Sequence, residues 1–200
     1  SFTIYDETDS RSLIKAIVKS LQLDERTYKP ALVHSIISKA KNNLQDPAKF
    51  LSAHSGEFDK IQGLNYESLY NIYVEYVQSC RLANVMDFDD LLYYTYVLFA
   101  NKENGVCRHY ASEFKYILVD EYQDTNRLQQ KILSLLFEEM PKKRICVVGD
   151  DAQSIYAFRG AEVNNILNFC EEFKDIKGQK AKLFKLEQNY RSTQTIVKAA

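Results

Sequence analysis

The chain has 200 residues, of which 46% are hydrophobic and 26% are charged, and its formal net charge is −1. This composition is ordinary for a globular protein, and the near-neutral charge gives no argument for nucleic-acid binding, for which a basic domain is typical. No apolar run approaches the ~18 residues of a membrane span, and the first residues show no signal-peptide pattern. We therefore expect a cytoplasmic protein without a membrane partner, and the scattered cysteines agree with a reducing compartment.

The first half of the chain has mostly helical periodicity. Phe2–Tyr5 reads as a strand, and apolar residues then recur at three-and-four spacing up to about residue 110. Pro30 suits the first turn of a helix. Asp87 is predicted to be an N-cap, with Asp90 in the first turn of an apolar helix that continues over Leu91–Phe99.

The second half of the chain alternates between strand and helix patterns. Strands are predicted at Tyr116–Val119, Ile145–Val148 and Leu183–Leu186, and helices at Leu128–Glu139, Val163–Glu172 and Thr193–Ala200. This alternation is typical of βαβ units and predicts an α/β fold with a parallel sheet. The continuous apolar run of the first strand predicts that both of its faces are covered. Cys146, in the second strand, is predicted to be a small buried hydrophobic residue.

Two adjacent carboxylates, Asp120 and Glu121, follow the first of these strands directly. Ligands of open α/β sheets bind outside the carboxyl ends of the strands, and Mg²⁺ takes one or two carboxylates together with substrate phosphates. One carboxylate can thus hold a hydrated metal ion while the other faces a reacting water. A solvated acidic turn explains the same pair equally well.

Polar and aromatic residues also follow the second strand. Gly149 permits a tight turn before Asp150 and Asp151, and the Gln153 amide can donate to a phosphate oxygen or orient a water. The alternative for the acidic pair is an ordinary Gly-Asp turn. The aromatic residues Tyr156 and Phe158, next to Arg159, suit stacking on unpaired bases, although core packing is the more common use of such rings.

The third predicted strand is followed by Tyr190 and Arg191. Arginine carries a planar fork that fits phosphate oxygens, and a tyrosine ring can stack on a purine. An ion pair on the surface is the plain alternative for Arg191.

Three sequence blocks, taken in this order and at this spacing, resemble motifs two, three and four of the UvrD/Rep/PcrA-type superfamily-one DNA helicases. They are Val119–Asn126, Val148–Ala161 and Leu186–Thr193. Two weaker matches, Ile37–Asn42 and Asp87–Leu92, resemble segments of the helical subdomain of these proteins.

The resemblance implies a RecA-like P-loop NTPase parallel sheet, here incomplete, with a large all-helical inserted subdomain. Residues 1–8 would belong to the first RecA-like motor domain and residues 9–110 to the helical insertion. Residues 111–180 would complete the first motor domain with motifs two and three, and residues 181–200 would begin the second with motif four.

The resemblance also implies a role for each site residue. Asp120 would coordinate Mg²⁺ and Glu121 would act as general base for the water that attacks ATP, with Gln123 and Asp124 supporting them. Gln153 would sense the γ-phosphate.

For the remaining site residues, the resemblance implies that Arg191 contacts the γ-phosphate and Tyr190 stacks near the adenine. Tyr156 and Phe158 would face single-stranded DNA, and Arg159 would join the network between the two sites. Many relatives carry Trp where this chain has Phe158, and the smaller ring offers less stacking area.

The chain contains no GxxxxGK[ST] sequence, the loop that cradles the phosphates of ATP in such proteins. We therefore expect an internal piece of a longer ATP-dependent helicase that translocates 3′-to-5′ on single-stranded DNA towards a duplex junction. The piece alone is expected to be inactive. An incomplete sheet exposes an edge or an apolar face, so dimerisation, strand exchange or local disorder is expected around residues 111–200.

Two other functions stay open at the level of sequence. The chain can be a non-catalytic helicase-like module that binds DNA or a protein, or a metal-dependent phosphohydrolase or nuclease using Asp120, Glu121, Asp150 and Asp151.

DNA contact by the helical region is a further open point. Lys39, Lys41 and Asn42 either contact DNA or lie on a solvated helix face, which is the commoner role of such lysines.

Overall fold

The computed structural model of the chain describes residues 2–53, 60–61, 63–150, 153, 164–186, 188, 193 and 195. The helices within these ranges are α1 Glu7–Ser20, α2 Pro30–Asn42, α3 Pro47–Ala53, α4 Tyr66–Ala83, α5 Phe88–Ala100, α6 Val106–Glu113, α7 Arg127–Glu139 and α8 Asn164–Glu172. The strands are β1 Thr3–Tyr5, β2 Lys60–Ile61, β3 Leu64–Asn65, β4 Val85–Asp87, β5 Ile117–Val119 and β6 Ile145–Val147. The chain thus has the mixed α/β character that its sequence predicts. No helix in the described ranges has the length and apolar character to cross a membrane.

The strands within the described ranges form three short two-stranded sheets. β5 and β6 are parallel and joined through α7, with Ile117 opposite Ile145, so the predicted βαβ unit is confirmed at this point. β1 is parallel to β4, and β2 is antiparallel to β3. Residues 9–110 are not all helical, contrary to what the resemblance implies, because β2, β3 and β4 lie in that stretch. The sequence pattern did not reveal β4, because this strand has only three residues and its last residue, Asp87, is also the N-cap of α5.

Carboxylate caps begin two of the helices. Asp87 Oδ1 accepts from the backbone N–H of Asp90 at 2.7 Å, and Asp90 Oδ2 accepts from the N–H of Asp87 at 3.2 Å, which confirms the predicted start of α5. Asp6 and Asp9 make the same reciprocal pair at the start of α1. Pro30 occupies the first turn of α2, as predicted. Each cap satisfies backbone N–H groups that have no partner within the helix.

The larger apolar core lies between α1, α2 and α4. Their apolar stripes meet at fully buried side chains, among them Ile14, Val18, Val33 and Ile72. These residues follow the three-and-four spacing that places them on one face of each helix.

A buried ionic cluster lies beside this core. Lys41 is only 2% exposed, and its Nζ lies 2.6 Å from Asp87 Oδ2 and 2.8 Å from Asp90 Oδ1. The Tyr76 hydroxyl also donates to Asp87 Oδ2, at 2.8 Å. Both roles predicted for Lys41, a DNA contact or a solvated lysine, are therefore wrong. Lys41 instead neutralises two carboxylates that cap a neighbouring helix.

The second core lies on one side of the β5–β6 sheet. Tyr122, Phe137, Phe169 and Phe173 pack there, with rings in edge or stacked contact. Among the described residues no layer packs on the other side of the sheet, and Leu118 is 77% exposed.

Two predictions about this sheet are therefore wrong. β5 is covered on one face only, and Cys146 is exposed rather than buried. The reason is the same for Leu118 and Cys146, since successive side chains of a strand point to opposite faces and, in the part of the chain that the structure describes, one face has a packing layer and the other has none.

The predicted strand Leu183–Leu186 has no regular structure at the described positions, and its apolar side chains Leu183, Phe184 and Leu186 are exposed. A strand exists only where a neighbouring strand accepts and donates its backbone hydrogen bonds. Within the described ranges no other strand lies beside this segment. The predicted helix Thr193–Ala200 falls almost wholly outside the described residues. The division into 1–8, 9–110, 111–180 and 181–200 stays a prediction.

Candidate active site

Asp120 and Glu121 lie directly after β5, at the carboxyl end of the strand. Both side chains are exposed, and Asp120 Oδ1 accepts from the backbone N–H of Glu121 at 2.9 Å. The carboxyl end of β6 lies alongside, because the two strands are parallel. The Val148 N–H donates to Val119 O at 2.8 Å, and the Tyr122 N–H donates to Val148 O at 2.9 Å, which carries the pairing past the strand ends.

Glu121 has a left-handed backbone conformation, with φ +50° and ψ 43°. A residue with a Cβ adopts this conformation at a cost of about 1–2 kcal/mol. It turns the chain sharply from β5 into a 3-10 turn at Tyr122–Asp124. Strained residues of this kind concentrate at functional sites, where the surrounding structure holds them.

Gln123 connects the ends of the two strands. Its side chain is 1% exposed, its Nε2 donates to Glu121 Oε2 at 2.7 Å, and its Oε1 accepts from the Asp150 N–H at 3.1 Å. One buried amide therefore orients the Glu121 carboxylate and fixes the loop after β6. The supporting role that the resemblance implies for Gln123 agrees with these contacts.

Gly149 allows this close approach. A Cβ at this position would lie 2.6 Å from Gln123 Oε1 and 2.9 Å from Ile166 Cδ1. Glycine is favoured here for steric reasons, because a side chain at this position would displace the Gln123 amide.

A polar network that is buried at Tyr122 and Gln130 and reaches the surface at Glu172 supports the turn. The Tyr122 hydroxyl donates to Gln130 Oε1, and Gln130 Nε2 donates to Glu172 Oε2 at 2.6 Å. Ser134 Oγ donates to Glu172 Oε1 at 2.8 Å. Burial, and then the charge of Glu172, raise the pKa of Tyr122, so the phenol stays protonated as a donor. The network links the turn to α7 and α8.

The sequence reasoning did not find Gln130 and Glu172. Both are ordinary polar residues of helices, and only the packing of α7 against α8 brings them together. Asn126, the N-cap of α7, was missed as well, although its reciprocal bonds with Gln129 follow a spacing that identifies such caps.

Gln153 lies near the end of β6 and is exposed. Its Nε2 donates to Asp150 Oδ2 at 2.8 Å, and its backbone N–H donates to Asp150 O at 3.0 Å. The structure thus places Gln153 on the β6 side of the site, held to the first residue of the acidic loop. The predicted site residues Asp151, Tyr156, Phe158, Arg159, Tyr190 and Arg191 lie outside the described residues.

The described part of the site fits a hydrated divalent cation better than a fully protein-bound one. Asp120 offers an exposed carboxylate at a strand end, which suits Mg²⁺, an ion that keeps several of its waters. Within the described ranges, no three His, Cys, Asp or Glu side chains are grouped so that they could hold a metal ion. Asp124 Oδ1 is buried and has no hydrogen-bond partner among those residues.

Residues 1–174 match the family described as UvrD/REP helicase N-terminal domain. The chain is 39% identical over 205 residues to ATP-dependent DNA helicase UvrD1 of Mycobacterium tuberculosis and 38% identical over 200 residues to ATP-dependent DNA helicase PcrA of Bacillus subtilis. It is 42% identical over 203 residues to a probable DNA helicase II homolog of Rickettsia conorii. Each alignment covers 100% of this chain but only 25%, 25% and 28% of the respective relative.

Proposed function

Because the chain belongs to the UvrD/REP helicase family, we propose that it forms part of the ATP-hydrolysing site of a DNA helicase. The observation that carries this proposal is the placement of Asp120 and Glu121 at the carboxyl end of β5, beside the parallel end of β6 and locked to it by Gln123. This is the edge of an α/β sheet at which ligands bind.

Asp120 holds the hydrated Mg²⁺ of the bound nucleotide, and Glu121 accepts the proton of the attacking water. When bound, Mg²⁺ neutralises charge on the phosphate oxygens. The hydrogen bond from Gln123 supports the role of Glu121, because it directs one carboxylate oxygen and leaves the other for water. Gln153 responds to the γ-phosphate, and its bond to Asp150 keeps its amide at the mouth of the site.

The remaining roles follow the family pattern. Arg191 binds the γ-phosphate and Tyr190 stacks near the adenine. Tyr156 and Phe158 stack on single-stranded DNA, and Arg159 connects the DNA contacts with the nucleotide. Movement along the strand runs 3′-to-5′, towards a duplex junction.

The chain alone is proposed to be inactive in ATP hydrolysis. It has no GxxxxGK[ST] sequence in its 200 residues, so it lacks the backbone nest and lysine that hold the phosphates. The fold that this function requires is a RecA-like sheet with a helical insertion over residues 9–110. The parallel β5–β6 pair and the helices α1–α5 support that arrangement.

The test is an assay of the full-length protein with ATP, Mg²⁺ and partly single-stranded DNA. We expect ATP hydrolysis that single-stranded DNA stimulates, and unwinding of duplexes with a 3′ tail but not of those with a 5′ tail. The 200-residue chain serves as the matched control without turnover. DNA binding without any hydrolysis would instead identify a non-catalytic binding module, and metal-dependent DNA cleavage without ATP would identify a nuclease. No contact among the described residues favours either alternative.

A further inference from the structure

Asn42 and Asn126 form a hydrogen bond between two regions that are far apart in sequence. Asn126 Nδ2 donates to Asn42 Oδ1 at 2.7 Å across 84 positions of the chain. Asn42 is the last residue of α2, and Asn126 caps the start of α7. Asn126 also closes the loop that begins at Asp120. The bond therefore connects the helical region directly to the loop that carries the two carboxylates.

The hydrogen-bond partners fix the orientation of both amides. Asn42 Nδ2 donates to Ser38 O at 2.9 Å and to Asp89 Oδ1 at 2.8 Å, while Asn126 Oδ1 accepts from the Gln129 N–H at 2.9 Å. A carboxylate only accepts and a backbone N–H only donates. Turning either amide over would therefore leave these partners unsatisfied. The Asn42 oxygen has a single orientation, and it faces Asn126.

The helical side of this bond has a rigid anchor. Lys41, the neighbour of Asn42, is buried between Asp87 and Asp90, and Asp89 lies in the same first turn of α5. The end of α2 cannot move away from α5 without separating buried charges, which is strongly unfavourable. Asn42 therefore presents its oxygen from a fixed position.

The loop side is also held by contacts of its own, since Tyr122 is fully buried and Gln123 binds both Glu121 and Asp150. Thr125 O accepts from Asn165 Nδ2 at 3.1 Å, and Thr125 Oγ1 donates to Tyr122 O at 2.7 Å. Upstream, Glu121 keeps a left-handed conformation that only its surroundings enforce. The bond from Asn126 to Asn42 adds a restraint on the end of this loop that comes from α2.

We infer that Asn42 is a positioning residue, which sets the place of the Asp120–Glu121 loop through Asn126. The inference rests on the proposed function, because positioning matters for turnover only if Glu121 serves ATP hydrolysis.

The kinetic test uses the full-length protein with saturating single-stranded DNA. Asn42→Ala is expected to lower kcat for ATP about tenfold and leave KM unchanged, since a misplaced catalytic group slows chemistry rather than binding. The matched control is Asn43→Ala, because Asn43 follows directly after α2 and its amide, among the described residues, donates to Lys39 O of that helix at 2.9 Å. An unchanged kcat for Asn42→Ala overturns the inference.

Exchanging the side chains of Asn42 and Asp89, which are hydrogen-bonded to each other, adds a rescue experiment. Asn42→Asp alone places a second carboxylate against Asp89, so kcat should fall at least as far as in Asn42→Ala. Combining it with Asp89→Asn restores a donor–acceptor pair and leaves a carboxylate oxygen for Asn126. The double variant should recover most of kcat. A double variant as slow as Asn42→Asp alone would contradict the inferred link.

Hydrogen exchange in the full-length protein without nucleotide tests the link without any turnover. The Asp124 and Thr125 amides donate to Glu121 O and Tyr122 O, at 2.9 Å and 3.2 Å. Asn42→Ala should raise their exchange rates about tenfold, and Asn43→Ala should not. Unchanged exchange in Asn42→Ala overturns the link. A full-length protein without ATPase activity overturns the proposed function and with it the catalytic consequence, while the exchange result still decides whether the link exists.

Discussion

At the end of β5, the backbone of Glu121 is strained and its carboxylate is held by the buried amide of Gln123. The strained backbone and this hydrogen bond depend on each other. The left-handed turn brings the Glu121 carboxylate back towards Gln123, and Gln123 binds the loop after β6 at the same time. The orientation of the proposed general base is therefore set before any ligand arrives.

The strain at Glu121 predicts an unusual order of stability between two substitutions. Glu121→Gly should be more stable than Glu121→Ala by about 0.5–1 kcal/mol, because glycine adopts a positive φ without steric cost. Both variants lose the carboxylate, so the comparison isolates the backbone. The measurement is urea unfolding followed by circular dichroism.

Glu75 offers the control for this comparison, since it is exposed in the interior of α4. There the order should reverse, with Glu75→Ala more stable than Glu75→Gly by about 1 kcal/mol. The same order at both positions would show that the Glu121 backbone is not strained.

Gly149→Ala is predicted to damage the site through Gln123. The added Cβ would lie 2.6 Å from Gln123 Oε1, and overpacking of this kind costs about 1–3 kcal/mol. The loss should be smaller in a Gln123→Ala background, where the clashing amide is absent. Equal losses in both backgrounds, measured by urea unfolding, would contradict the contact.

At the scale of elements, the helical region is stabilised by groups that hold their protons tightly. Burial would lower the pKa of Lys41, but the charges of Asp87 and Asp90 prevail and raise it above its ordinary 10.5. Burial, followed by the charge of Asp87, raises the pKa of Tyr76. Burial also raises the pKa of Cys80 to about 11 and that of Tyr93 to about 12.

These shifts predict loss of stability in alkali. A raised pKa means that the folded state binds the proton more tightly than the unfolded state does. The group's contribution to the free energy of unfolding is therefore complete below its pKa in the unfolded state, and it is lost as pH rises through its pKa in the folded state. The ordinary values are 9.0 for Cys80 and 10.0 for Tyr93. The melting temperature should therefore be constant up to about pH 9 and fall steadily above it, as measured by circular dichroism in the presence of a reductant.

Tyr76→Phe provides a sharper version of this test. It removes the donor to Asp87, so it should cost about 1–3 kcal/mol at pH 7. It should also flatten the decline above pH 10. An equally steep decline in Tyr76→Phe would contradict the assignment.

Local features of these elements were predictable, and long-range ones were not. The Asp87–Asp90 cap depends on residues three positions apart, so the sequence pattern was sufficient. The burial of Lys41 depends on Asp87, 46 positions away, and no local pattern indicates that distance. Likewise the strand end at Asp120 was visible, but the bridge from Gln123 to Asp150 required the pairing of β5 with β6.

At the scale of the whole molecule, the β5–β6 sheet is half covered. Leu118 and Val148 are exposed beside it, as are the apolar residues at 183–186 that the sequence predicts to be a strand. Such exposure arises where an apolar strand has no layer packed on one of its faces. The sequence of β5 shows the apolar strand but does not show that, among the described residues, one face lacks such a layer. Open apolar faces and strand edges favour association.

We therefore predict that the 200-residue chain self-associates through this face. Leu118→Lys should shift the chain towards monomer in analytical ultracentrifugation, because a charge on the open face opposes its burial between copies. Leu82→Lys is the matched control, since Leu82 is equally apolar and 90% exposed but belongs to α4 rather than to the sheet. A monomeric wild-type chain at all concentrations would contradict the prediction.

The most direct test of the central claim is single-turnover ATP hydrolysis by the full-length protein carrying Glu121→Gln, measured beside its affinity for ATP. The exchange keeps the size of the side chain but removes its capacity to accept a proton. We expect ATP affinity to be retained and the hydrolysis rate to fall by about 10²–10⁴-fold, the usual contribution of a general base. Hydrolysis at close to the wild-type rate would show that the carboxylate at the end of β5 is not the base.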